Sequence, residues 1–139
     1  MKIFCLEDFK VEFEKLSSKK SYRDIEKEII DYFFDKSIGE LESGVRLNNS
    51  DDTPYIKKRL KGRGGYRCYF LLILKKDSLY LMFVHPKTGT SGSSNITDES
   101  KTYLYKKVYK SIENQDLYEL SIDESKKKII FSKSVQVPA

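Results

Sequence analysis

The sequence predicts an α+β fold: an antiparallel sheet of about four strands packed with an N-terminal helix and a C-terminal helix, plus a C-terminal hairpin extension. Three observations lead there. The stretch from Tyr55 to Lys87 reads as three short strands joined by two tight turns. On either side of it, apolar residues recur at three- and four-residue steps, the period of a helix with one covered face. Towards the C-terminus, two further short apolar runs flank Asp123-Glu124-Ser125.

The elements follow in order. Phe9, Val11 and Phe13 alternate with Lys10, Glu12 and Glu14, which predicts a strand with one face covered. Met1–Phe4 is either a short strand or part of the same one. From about residue 18 to about residue 36, Tyr22, Ile25, Ile29, Tyr32 and Phe33 form an apolar stripe, widened by Ile30 and Phe34. The outer face of that helix carries Asp24, Glu26, Glu28, Asp31 and Asp35, so it is expected to back the sheet on the side away from any polyanion. Ile38–Thr53 is a polar connector, with a short helix or strand around Leu41–Leu47.

The three central strands are expected at Tyr55–Lys61, Tyr66–Lys75 and Leu79–His85. Gly62-Arg63-Gly64-Gly65 forms the first turn, Lys76-Asp77 forms the second, and Pro86 ends the run. The middle strand is apolar on both faces and so belongs at the centre of the sheet. Lys87–Asn95 reads as a Gly/Ser/Thr loop. It lacks the Gly-Lys-Ser/Thr ending of a nucleotide-binding P-loop. Asn95 or Thr97 caps a second helix with Leu104, Val108 and Ile112 on its apolar stripe and Lys101, Lys106, Lys107 and Lys110 elsewhere. Leu117–Ile122 and Lys128–Phe131 form a hairpin or a pair of edge strands, and Ser132–Ala139 frays.

At 139 residues the chain is expected to be one domain. No apolar run is long enough to cross a bilayer, and acids follow the N-terminus at once, so no membrane role and a cytoplasmic location are expected. Cys5 and Cys68, far apart and with only one histidine in the chain, make no recognisable metal site and read as buried thiols. The charge is segregated: Tyr55–Thr90 holds nine Lys and Arg against one acid, a balance of +8 in a chain of net charge +5, which leaves −3 for the rest. A basic sheet points to a polyanion partner.

Turn positions set the expected register. A two-residue turn at Lys76-Asp77 puts Arg67 opposite Pro86, and a four-residue turn at Gly62–Gly65 puts Arg67 opposite Leu60. Lys61, Arg63, Arg67, His85 and Lys87 then gather at one end of the sheet. Fixed cations around an imidazole suit metal-free cleavage of RNA by its own ribose 2′-hydroxyl, without a cofactor. His85 serves as base or acid. Arg67 grips the phosphate, and Lys61 and Lys87 add point charges. Tyr66 stacks on a base, and Lys57, Arg59, Lys61 and Arg63 bind the backbone. Each has a plainer alternative. His85 can be structural, Arg63 a solvated turn residue, and Lys57 and Arg59 charged protection of a sheet edge.

Lys61-Gly62-Arg63-Gly64-Gly65-Tyr66-Arg67, then Leu79–Lys87 ending in His85-Pro86-Lys87, then Asn95-Ile96-Thr97-Asp98-Glu99, resemble the RelE/ParE-like toxins and their HigB-type branch. The resemblance covers about residues 9–113 and leaves 114–139 as an extension. It implies a RelE-like fold and a cytoplasmic endoribonuclease (mRNA interferase) of a type II toxin–antitoxin system, commonly acting on the ribosome. It implies mRNA and a helix-turn-helix antitoxin as partners. Arg67 matches the strand arginine at the scissile phosphate, Lys61 or Arg63 the basic residue before it, His85 the aromatic or histidine position and Lys87 the lysine after it. The alternative is a non-catalytic RNA- or protein-binding module on the same fold, such as a ParE-like gyrase inhibitor or an inactive relative. A third reading is an accessory protein using its acidic helix for partner contacts.

Overall fold

The computed structural model describes residues 1–62, 65–87 and 96–133. Within them the chain is α+β, with a mostly antiparallel seven-stranded sheet and three α-helices. The elements are β1 (Lys2–Cys5), α1 (Glu7–Ser17), α2 (Ile25–Phe33), β2 (Val45–Arg46), β3 (Tyr55–Leu60), β4 (Tyr66–Ile73), β5 (Ser78–Pro86), α3 (Asp98–Glu113), β6 (Tyr118–Ile122) and β7 (Ile129–Lys133). The strand order is β2-β3-β4-β5-β1-β6-β7, and only β1 and β5 pair in parallel.

The expected strand at Phe9–Glu14 is instead the middle of α1. Phe9, Phe13 and Leu16 are buried at four- and three-residue steps, whereas Val11 is 52% exposed. Glu7 and Asp8 in the first turn favour the helix through its dipole. Three alternating residues do not distinguish a strand from one and a half helical turns, and the wider Phe9/Phe13/Leu16 spacing wins. The expected helix over residues 18–36 contracts to α2. A 3-10 turn at Lys20–Tyr22 precedes it, and Asp35 in a left-handed conformation (φ 65°) follows it. The connector holds a 3-10 turn at Gly39–Glu42 and the two-residue β2.

The sheet separates two cores. On one face, α1 and α2 cover Ile3, Cys5, Ile56, Tyr66, Cys68, Phe70, Leu72, Leu79, Leu81 and Val84. Phe33 of α2 meets Phe70 of β4 edge to face, with centroids 5.1 Å apart. On the other face, Leu104 and Val108 of α3 cover Tyr55, Tyr69, Leu71, Tyr80 and Met82. β4 is therefore covered on both sides, as its double-sided apolar run requires. Thr97 caps α3, its hydroxyl accepting from the Ser100 backbone N–H at 3.0 Å. Cys5 and Cys68 are buried free thiols, and burial pushes both well above the ordinary thiol range, which keeps them unreactive.

The sheet has more than the expected four strands because β1 inserts between β5 and β6. Lys2 N–H donates to the Asp77 carbonyl and Leu6 N–H to that of Leu81, both at 3.0 Å. The C-terminal hairpin thus joins the sheet through β1. Leu120 and Ile129 enter the core of α1 and α2, and the Ile129 N–H donates to the Glu26 carboxylate at 2.9 Å. Ser132, expected to fray, pairs with Glu119. Asn95 and most of the expected loop over Lys87–Asn95 lie outside the described residues, as does 134–139. Among the described residues, no helix is long and apolar enough to cross a membrane.

Two turns fix how β3, β4 and β5 meet. Leu74–Lys76 form a 3-10 turn and Asp77 adopts φ 47°, so Ile73 faces Ser78 across four residues rather than two. Gly62 sits at φ 121°, and a Cβ there would run into the Tyr66 ring. Gly62→Ala is expected to destabilise the protein by about 1–3 kcal/mol, from backbone strain and overpacking. Gly39, with no neighbour within 4 Å of the same atom, should accept alanine within about 1 kcal/mol. Urea denaturation of both variants tests this; equal stabilities would overturn it.

Candidate functional site

A β-bulge assembles the site. From Ile73↔Ser78 to Phe70↔Leu81 the pairing of β4 and β5 is regular, and it then shifts so that Tyr69 faces Phe83. Met82 is the extra residue. Beyond it, Cys68 faces Val84 and Arg67 faces His85. The shift reverses the side-chain alternation, because sheet residues change face at every step. Tyr80 and Met82 before the bulge and Phe83 after it all join the core under α3, while Val84 turns to the opposite core. His85 therefore emerges on the α3 side.

Arg67 shares that side, and β3 completes the row. Arg59 faces Arg67 and Lys57 faces Tyr69. Two cross-strand lines result: Arg59–Arg67–His85 and Lys57–Tyr69–Phe83. The expected partners of Arg67, Leu60 and Pro86, both lie one position away and point to the other face. Both pairings shift by one, so Arg67 and His85 remain together.

His85 is 4% exposed. Its ring stacks on Tyr69, with centroids 5.8 Å apart and planes at 16°, and tilts against Phe83 at 6.0 Å. Its Nδ1 lies 3.1 Å from the Pro86 carbonyl oxygen. A carbonyl only accepts, so Nδ1 carries the proton and Nε2 is the free acceptor. Burial, followed by the charges of Arg67 and Lys57, holds the imidazole below the ordinary histidine range; the Pro86 bond and Glu12 oppose this. His85 is thus neutral at physiological pH.

Three polar atoms here are buried without a partner: Arg67 Nε, a donor, His85 Nε2, an acceptor, and the hydroxyl of Tyr69, the ring that stacks on His85. Among the described residues, Arg59, Lys61, Arg67 and Lys87 form no ion pair with a carboxylate. Lys57 is held below the ordinary lysine range by burial and then by Arg67, Lys101 and Arg59. Arg59, Lys61, Arg67 and Lys87, with no carboxylate ion pair among the described residues, and the buried Arg67 donor gain most from an external anion.

The remaining expected residues fall elsewhere. Tyr66 is a correction. It is fully buried on the α1/α2 face, donates its hydroxyl to Asp24 and meets Tyr22 edge on, so its ring is unavailable to a base. Even-numbered positions of β4 turn away from Arg67, and this alternation decides it. Lys61 and Lys87 do not flank Arg67 directly. With Arg59, Leu60 and Gly65 they line a shallow cavity of about 320 Å³ at the strand ends, where the Lys87 N–H donates to the Gly65 carbonyl at 2.9 Å. Arg63 lies outside the described residues. The sequence reading missed Tyr69 and Phe83, which hold the imidazole, and Lys101, which approaches from α3. The alternation of Tyr55, Lys57 and Arg59 was the available signal for the shared face.

A depressed histidine binds fewer protons when folded than when unfolded. Its stabilisation is complete above the unfolded value, about 6.5, and is lost as pH falls towards the folded value. Between pH 7.5 and 5 the wild type should lose stability faster than His85→Phe, whose ring suits the same aromatic slot. Urea midpoints against pH test this; parallel curves would refute a buried neutral His85. Searches against family models and curated proteins find no match for the chain, so the chemistry of this site is read from its own geometry.

Proposed function

We propose that the chain is an endoribonuclease toxin of a type II toxin–antitoxin pair, RelE/HigB-like, acting in the cytoplasm on mRNA. The observation that carries this reading is the Arg67–His85 cross-strand pair with its two unpartnered nitrogens. An RNA linkage offers both complements: a phosphate oxygen to accept from Arg67 Nε–H and a ribose 2′-hydroxyl to donate to His85 Nε2. His85 in its neutral form takes the 2′-hydroxyl proton. The 2′-oxygen then bonds to phosphorus, and Arg67 and Arg59 hold the charge that grows on the phosphorane. The bond to the 5′-oxygen breaks, that oxygen takes a proton from water, and the His85 imidazolium returns its proton to solvent to restore the neutral base. The products are a 2′,3′-cyclic phosphate and a 5′-hydroxyl, and no cofactor takes part. The order of a strand, two helices, three antiparallel strands and a helix supports the resemblance. The carboxylate-poor cationic face supports an acidic antitoxin segment, or RNA on the ribosome, as partner.

One observation favours a second reading. His85 Nε2 is covered, and a general base must reach its proton. A non-catalytic module on the same fold would keep His85 as packing between Tyr69 and Phe83 and use the cations alone to bind RNA or protein.

Induction of the wild type should halt growth and fragment mRNA. Arg67→Ala should slow cleavage about a hundred- to a thousandfold, the usual cost of one transition-state contact. His85→Gln should abolish cleavage while RNA binding persists. Thermal melts verify that both variants fold. If Arg67→Ala/His85→Gln remains as toxic as the wild type, the catalytic assignment fails. RNA binding by the wild type without any cleavage product would select the second reading.

A further inference from the structure

The cationic face does not end at Lys57. β3 carries Tyr55, Lys57 and Arg59 on the α3 side, and each two-residue step advances about 7 Å. At the Tyr55 end, α3 comes down onto the strand. The Tyr55 hydroxyl donates to the Lys101 carbonyl at 3.1 Å, and its ring stacks on Tyr105, with centroids 5.4 Å apart and planes at 20°. These contacts anchor the Lys101 turn of α3 one strand step beyond Lys57. There a groove of about 470 Å³ opens between the β2 connector and α3, with Arg46 and Asn48 on one wall and Lys101 and Tyr105 on the other.

The cations of this groove are weakly held. Lys101 pairs with Asp98 at 3.5 Å and Arg46 with Asp51 at 3.6 Å, and both carboxylates are fully exposed. Arg46 also donates to the Ser50 carbonyl. Ion pairs to solvated carboxylates are worth about 0–1 kcal/mol, so a phosphate displaces them at little cost. The neutral polar groups of the groove are already used: Asn48 bonds the Thr53 carbonyl and the Tyr55 N–H. Asp98 also lines the groove, and Arg46 and Lys101 outnumber it, so a ligand meets an excess of positive charge on an aromatic floor whose amide is already bonded.

We propose that single-stranded RNA held at Arg67 continues past Lys57 into the groove between Arg46 and Lys101. The protein there tracks consecutive phosphates without regard to sequence. This rests on the RNA reading of the Arg67–His85 site and extends it by naming the substrate as a strand several nucleotides long. The row of side chains, one per strand step, is of the same order as the spacing of phosphates along an extended single strand. That spacing argues for RNA over a compact anion.

The test uses 2′-O-methyl oligouridines, which bind but cannot be cleaved, a dinucleotide and a pentanucleotide, followed by fluorescence anisotropy over a range of salt. The wild type should bind the pentanucleotide more tightly. Arg46→Gln/Lys101→Gln should lower that affinity about tenfold and reduce the slope of log K against log salt by about 1.4, since each lost single-strand phosphate contact is worth about 0.7. Most of the advantage of length should disappear. If this double variant binds the pentanucleotide with wild-type affinity and slope while Arg67→Ala loses binding, the groove is not on the RNA path although the Arg67 site stands. If the wild type binds neither oligomer, or Arg67→Ala binds both as the wild type does, the RNA reading fails and the extension with it. Binding of polyglutamate in the groove in place of the pentanucleotide would assign it to a protein partner and overturn the proposal.

Discussion

One extra residue in β5 determines what this sheet presents. Without the bulge, with Met82 kept in regular register opposite Tyr69, the pairing that begins at Ile73↔Ser78 would set Arg67 opposite Val84, and His85 would point into the α1/α2 core. The bulge avoids that outcome by packing two successive residues, Met82 and Phe83, on the α3 side. Its local cost is one interrupted rung of the ladder. Its effect is that a histidine and two arginines from three strands stand side by side. β4 pairs with β5 on both sides of the bulge, and β1 holds its other edge over Ser78–Leu81, so the bulge begins where the pairing with β1 ends.

The resulting face combines features that oppose one another. Arg59, Arg67 and Lys57 repel each other, and Arg67 and His85 each bury a nitrogen without a partner. The aromatic neighbours carry the burden of holding them: Tyr69 and Phe83 flank the imidazole, and burial keeps it neutral, which avoids a further positive charge beside Arg67. Stability in this region comes from packing, and the unmet electrostatics are available to a ligand. Local disagreement of this kind is characteristic of functional sites in otherwise consistent folds.

The two faces divide the work. α1 and α2 seal one core, and the acids of α2 meet lysines of their own surroundings, as in Lys27–Asp31 and Lys128–Glu26. α3 covers Tyr55, Tyr69 and Tyr80 on the other face, while Arg59 reaches the strand-end cavity with Lys61 and Lys87. The C-terminal hairpin lies at the far end of the sheet, beyond β1, where it lengthens the α1/α2 core through Leu120 and Ile129 and stays away from the cationic row.

Composition and local pattern alone determined the α+β class, the three central strands, the second amphipathic helix, with its cap at Asn95 or Thr97, the C-terminal hairpin and the concentration of positive charge near Arg67 and His85. These depend on turn residues, apolar periods and charge counts, which are local. The helix at Glu7–Ser17 was misread because Phe9, Val11 and Phe13 satisfy a strand until Leu16 and the covering sheet are considered. The face taken by Tyr66, the pairing of Arg67 with His85 and the insertion of β1 beside β5 were decided only by tertiary structure. The first two depend on the register of paired strands, where one bulged residue reverses the alternation on which any prediction of facing rests, and the third on contact between segments far apart in sequence.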